Sequence, residues 1–188
     1  MGTIKTTNIE TITGSGTLTL GQSGETITIP SGVTITNNGT QTGFGGTNTP
    51  AFQAYRNAGN QAISASTETL VQFDTELFDT NSCYDNSTYT FTPTTSGKYF
   101  IYSAVEFTNT VNAGQLYCGI YKNNSLVAIS EVVAYGTRSS SITCLGTTIQ
   151  IANGTTDYFT IKGFFEAGSM AIRSGASFTY FGAYKIIE

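Results

Sequence analysis

The run YTFTPTTSGKYFIYSAVEF (Tyr89–Phe107) decides the fold of this chain. From Gly97 it alternates strictly, with Tyr99, Ile101, Ser103, Val105 and Phe107 on one side and Phe100, Tyr102, Ala104 and Glu106 on the other. Aromatic and β-branched residues at a period of two specify a strand, not a helix. Both sides are largely apolar, so both need cover. One must meet the second sheet of a sandwich. For the other, a subunit contact is the simplest cover. Parity alone does not say which set faces the core. The closing run SFTYFGAYKII (Ser177–Ile187) has the same two-sided character, with Phe178, Tyr180 and Tyr184 set against Phe181 and Ala183.

Composition agrees. The chain has 188 residues, enough for one domain and an appendage. A hydrophobic content of 39% supports a core, while 11% charge and a net charge of -4 leave no basic patch for a phosphate backbone. Thr, Ser, Asn, Gly, Tyr and Phe dominate, which reads as all-β with many turns. There is no His, which removes Ser-His-Asp and Cys-His nucleophiles and the commonest metal ligand. Phosphate-binding glycine motifs are absent as well, since GFGG (Gly43–Gly46) sits in a linker. The carboxylates Asp74, Glu76, Asp79 and Asp85 lie close enough in sequence for a glycosidase pair but read as a strand end and a solvated loop. Cys83, Cys118 and Cys144 form neither a disulfide framework nor a zinc site, and read as buried thiols. Cys118 and Cys144 both fall in strand patterns, so a bridge between them is allowed but not implied. Met1 is followed by no apolar run of signal-peptide or membrane-spanning length, so the expectation is a soluble protein made in a cytoplasm.

Residues 1–49 differ from the rest. TLTL (Thr17–Leu20), ETITIP (Glu25–Pro30) and GVTIT (Gly32–Thr36) alternate aliphatic with hydroxyl residues, and the turns GQSG and PSG separate them. Short strands of this kind bury too little to fold alone and call for several copies around a shared axis. The expected anchor and shaft residues are Ile12, Leu18, Leu20, Ile27, Ile29, Val33 and Ile35. GFGGTNTP (Gly43–Pro50) reads as a linker to a head spanning residues 50–188.

Several runs of the head, in order, carry a family resemblance. They are PAFQAYRN (Pro50–Asn57), ETLVQFDTELFDTNSCYD (Glu68–Asp85), Phe91, Pro93, Gly97 and Tyr99 entering the long strand, QLYCGIYKNNSLV (Gln115–Val127), TTIQIANGTTDYFTIKGF (Thr147–Phe164) and SFTYFGAYKI (Ser177–Ile186). Together they resemble the globular head of complement C1q and its tumour-necrosis-factor-like relatives. The resemblance implies an antiparallel jelly-roll sandwich, a homotrimer, and a role in binding, not catalysis. It also implies that the strands around Asn153–Asp157 are paired with each other. Tyr180 departs from the family's usual Gly. GSGTLTLGQSGETITIPSGVTITNNGT (Gly14–Thr40) resembles the shaft or collar modules of phage tail fibres.

The resulting expectation is an all-β virion fibre protein, assembled in a host cytoplasm. Its head would adsorb to a host-surface glycan or protein, its N-terminal segment would join other virion proteins, and neither nucleic acid nor membrane insertion would be involved. The alternative is a capsid decoration or a tail-attachment structural protein that never touches the host. The expected trimer contacts are Phe52, Tyr55, Phe100, Tyr102, Tyr180, Phe181 and Tyr184. The expected ligand loops carry Asp79, Asn81, Asp85, Asn86, Asn112, Arg138 and Arg173. Asp79, Asn81, Asp85 and Asn86 also offer calcium-type oxygens, but without an EF-hand spacing they read as turn formers. No cofactor is expected.

Overall fold

The computed structural model describes residues 17–38, 48–108, 114–135 and 141–187. The chain divides into two compact units, Met1–Thr42 and Gly43–Glu188.

Among the described residues of the first unit, the three aliphatic runs carry no strand ladder within one chain. A strand is held by its ladder, and four-residue runs of one chain find no partner within residues 17–38. What forms are the turns. Glu25 N donates to Gln22 O at 3.0 Å and Val33 N to Pro30 O at 3.2 Å. Leu18, Leu20, Ile27, Ile29, Val33 and Ile35 all stay between 46% and 60% exposed. Ile12 and the glycines of the linker lie outside the described residues.

The second unit is an antiparallel β-sandwich. Its strands are β1 (Ala51–Tyr55), β2 (Gln61–Ala62), β3 (Thr69–Leu70), β4 (Thr75–Asp79), β5 (Tyr84–Asp85), β6 (Thr90–Phe91), β7 (Gly97–Thr108), β8 (Gly114–Lys122), β9 (Ser125–Ala134), β10 (Ile142–Ala152), β11 (Phe159–Phe165), β12 (Ala171–Ile172) and β13 (Tyr180–Lys185). β7 is the hub of the first sheet. β10 runs along one edge of it, β13 and β12 share the other, and β1 and β4 continue beyond β13. The second sheet runs β5-β6-β11-β8-β9, with β3 also on β11. β8 and β9 form a hairpin within the run Gln115–Val127, turning on Asn123 and Asn124, whose φ values of 50° and 64° suit a two-residue hairpin loop. β10 and β11 do not pair with each other. β10 belongs to the first sheet and β11 to the second, so the Asn153–Asp157 turn carries the chain across the sandwich.

Parity along β7 resolves as one clean set. Tyr99, Ile101, Val105 and Phe107 point into the sandwich with no exposed surface. Phe52 from β1 stacks on Tyr84 at 4.7 Å and Phe91 at 4.6 Å, and meets Phe181 edge-on at 4.9 Å. The buried Tyr84 hydroxyl donates to Phe73 O at 2.8 Å, so it enters the core without an orphaned donor. All three cysteines are buried and free, and the Cys118 thiol lies 3.2 Å from the Ser103 hydroxyl.

Gly154 shows what the crossing turn demands. Its φ is +75°, and a Cβ there would lie 2.3 Å from Ser96 N and 2.5 Å from Thr95 C, both backbone atoms. Gly59 has a similar φ of +82° but open space. Gly59→Ala is expected to cost about 1 kcal/mol for the left-handed backbone alone. Gly154→Ala adds the backbone clash and is expected to cost roughly 2–4 kcal/mol. Urea unfolding of the two variants separates strain from collision.

Candidate functional site

The outer face of the first sheet is built from the residues that β7, β10, β13, β1 and β4 do not turn into the core. Strand register arranges them in three rows. The first runs Ile149, Phe100, Tyr184, Ala51; the second Thr147, Tyr102, Gly182, Gln53, Phe78; the third Leu145, Ala104, Tyr180, Tyr55, Thr75. Ring contacts knit the rows together. Phe100 lies 6.0 Å from Tyr102 and 5.5 Å from Tyr184, and Tyr102 lies 6.3 Å from Tyr180. Gly182 lets the Tyr102 ring cross β13, because a Cβ there would stand 2.4 Å from the ring. The Tyr102 hydroxyl is fixed by donation to Gln53 Oε1 at 3.0 Å. On β10, Leu145, Ile149 and Ile151 are 61%, 59% and 66% exposed. This face is mostly apolar and aromatic across five strands, broken by Thr147, Gln53 and Thr75, and its hydrophobics are grouped, not scattered.

Five of the seven expected contact residues, Tyr55, Phe100, Tyr102, Tyr180 and Tyr184, share this face. Phe52 and Phe181 do not. Both are fully buried in the sandwich core on the opposite side of β1 and β13, and neither has surface left for a partner. Sequence reasoning missed Leu145, Ile149 and Ile151. Their signal was the alternation of β10 with Cys144, Gly146 and Ala152, small residues that suit the inward side.

The loop residues are mostly spent on the loops themselves. The Asp79 carboxylate accepts from Tyr84 N at 2.8 Å, Asn81 N at 3.2 Å and the Cys83 thiol at 3.1 Å. Partial burial pushes its pKa up, but these donors prevail and hold it below the usual value. Asp85 accepts from the Ser87 hydroxyl and N–H and from Thr88, which lowers its pKa to about 2. Asn81, between β4 and β5, and Asn86, between β5 and β6, are both exposed. Arg173, expected on a ligand loop, instead bonds Glu106 at 2.7 Å and lies over the Phe178 ring at 3.6 Å. Asp74 pairs with the buried Arg56 at 3.0 Å and caps Asn57 N, so it is a structural carboxylate. Among the described residues, no group of three or more His, Cys, Asp or Glu is placed to hold a metal. Asn112 and Arg138 lie outside the described residues.

Glu68, on the outer side of the second sheet, accepts from the Tyr121 and Tyr117 hydroxyls and pairs with Lys162 at 3.5 Å. The Tyr121 hydroxyl is the main reason its pKa is lowered. Glu68, Asp79, Asp85 and Asp157 therefore all have folded pKa values below their unfolded ones. Their contribution is complete above pH about 4–5 and is lost as pH falls through the folded values. Thermal midpoints of the protein are expected to hold between pH 5 and 7 and to fall on acidification from about 4 toward 2. A flat profile across that acid window would contradict these assignments.

A family model described as the C1q domain matches residues 51–184. Among solved structures, the chain is similar to the globular domain of a zebrafish complement 1qA protein, with 22% identity, 73% of this chain and 96% of that chain covered, and a TM-score of 0.54. It is also similar to Eiger TNF from S. frugiperda (12% identity, 72% and 91% covered, TM-score 0.56). Murine APRIL gives 14% identity, 72% and 98% covered, and a TM-score of 0.56. No curated protein matches the chain. At these identities the structural likeness speaks for the fold.

Proposed function

The chain belongs to the C1q domain family, and from that premise we propose that it acts as a homotrimeric, non-enzymatic binding head. The observation that carries this reading is the three-row apolar face. A closed ring of three needs two different patches on each protomer. The aromatic centre of Phe100, Tyr102 and Tyr184 and the aliphatic rim of Leu145, Ile149 and Ile151 offer two such patches.

The N-terminal unit extends the reading. Its six exposed aliphatics are covered when three chains bring their runs together, and the resulting shaft carries the head of a virion fibre, attached to other virion proteins. The likeness of Gly14–Thr40 to tail-fibre shafts supports this placement. The head then adsorbs to a host-surface glycan or protein, with three weak sites adding through avidity.

Light scattering tests the assembly. The full chain should give about three times 19.9 kDa, and residues 50–188 should remain three-fold. A monomeric head would overturn the reading. Adsorption is tested separately, because purified protein at saturation should compete with virion attachment. Unimpaired attachment would leave capsid decoration or tail attachment as its role.

A further inference from the structure

We propose that the groove beside β5 and β6 is a binding site for a neutral pyranose sugar, one per protomer. This rests on the reading of the head as a binding module and names its ligand class. The groove is open to solvent and offers about 270 Å3, and Ser82, Asp85, Thr88, Thr90, Thr92 and Thr94 line it. Its hydroxyls fall at every second position from β6 onward. Phe91 and Pro93 turn into the sandwich and are buried, so Thr90, Thr92 and Thr94 stand together on the outside.

Three observations separate this groove from a merely solvated turn. First, the Ser82, Thr92 and Thr94 side chains have no hydrogen-bond partner among the described residues, although they face a shared concavity. Second, the Asp85 carboxylate is held by one oxygen only. Ser87 N, Ser87 Oγ and Thr88 N all donate to Oδ1, at 2.8, 2.6 and 3.4 Å. Oδ2 takes none of these donors and belongs to an exposed carboxylate, open to a ligand hydroxyl. Third, the floor is rigid. Thr92 N donates to Cys83 O at 2.7 Å, the Cys83 thiol is tied to Asp79, and the Tyr84 hydroxyl is tied to Phe73 O. A preformed array costs little reorganisation on binding.

The same features set the selectivity. No Lys or Arg lines the groove, and a fixed carboxylate repels sialylated or sulfated sugars. Tyr84 is stacked on Phe52 in the core, so no ring face is offered for sugar stacking. Recognition by hydrogen bonds alone gives a single-site Kd on the order of millimolar. That strength becomes useful only when three sites act together.

The test is saturation-transfer NMR on the full chain with the methyl glycosides of glucose, galactose and mannose, and with sialic acid. At least one neutral glycoside should receive saturation and sialic acid should not. Thr92→Val with Thr94→Val keeps the strand shape and removes two hydroxyls, and should weaken binding at least ten-fold. Asp85→Asn keeps an oxygen for the turn, turns the free acceptor into a donor, and should weaken it comparably. An unchanged solution mass and a single cooperative thermal transition in both variants exclude misfolding. No saturation of any neutral glycoside, equal binding by the double variant, or preferred binding of sialic acid would each overturn the site. If the double variant still competes with virion adsorption, this site fails while the binding-head reading stands. If the wild-type protein is monomeric, that reading fails first.

Discussion

Phe181→Ala is expected to lower the unfolding free energy of the head by about 3–5 kcal/mol, the usual range for deleting a fully buried aromatic ring. Phe181 has no exposed surface, lies edge-on to Phe52 at 4.9 Å, and also touches Phe73 at 5.6 Å and Tyr84 at 6.2 Å. Removing it opens a cavity where β1, β5 and β13 converge. Domains of this size hold only about 5–15 kcal/mol in total. Tyr184 is the informative contrast, because it sits three residues on, 38% exposed on the other face of β13. Tyr184→Ala should cost the isolated protomer about 1 kcal/mol or less, since little is buried there. Urea titration at a protomer concentration low enough to keep the head monomeric reads both, because assembly makes apparent stability concentration-dependent. Similar costs for the two variants would mean that Phe181 is not the core residue its burial makes it.

This contrast also shows what alternation reveals and what it withholds. The period of two in Gly97–Phe107 specified the strand and sorted its residues into two correct sets. Which set faced inward was decided by partners distant in sequence: Phe91, Phe159 and Phe52 close over Tyr99, Ile101 and their row. Phe52 and Phe181 resembled interface aromatics because each alternates with other large residues. Only the pairing of β1 with β13 puts both on the inner side. β10 was harder still. Its outward Leu145, Ile149 and Ile151 look like ordinary strand residues until the register sets them beside Ala104, Phe100 and Lys98. Family likeness supplied the sandwich but misjudged the Asn153–Asp157 crossing, since a turn's sequence does not tell a hairpin from a change of sheet.

Loop chemistry was the least legible part. Asp79, Asp85 and Arg173 were chosen for charge and exposure, yet two of the three serve mainly to hold the chain. Asp79 closes its loop onto Tyr84, and Arg173 neutralises the nearly buried Glu106. Asp85 is the exception, because its turn consumes a single oxygen. Hydrogen-bond geometry at the level of one atom separates a structural carboxylate from one able to meet a ligand, and a sequence does not carry that information.

Leu145→Asp is expected to convert the head, residues 50–188, from a trimer to a monomer. Leu145 is 61% exposed in the protomer, so the substitution leaves folding nearly untouched. In the proposed assembly the same position is apolar interface. Its cross-strand partner is Ala104, the ring of Tyr180 stands in the same row, and the diagonal neighbour is Glu106. Arg173 already serves Glu106, so the new carboxylate gains a like charge nearby and no cation. Burying an unpaired charge costs several kcal/mol at each of three contacts, which is more than 100-fold per contact in affinity. Leu126→Asp is the matched control. It is 47% exposed and belongs to the outer side of the second sheet, close above Gly119, away from the proposed contact. It should leave the mass three-fold. The full-length Leu145→Asp chain adds a further discrimination. If it remains near three times 19.9 kDa while its head alone is monomeric, the N-terminal unit holds three chains by itself. If head and full chain both stay trimeric, the rim on β10 is not the interface.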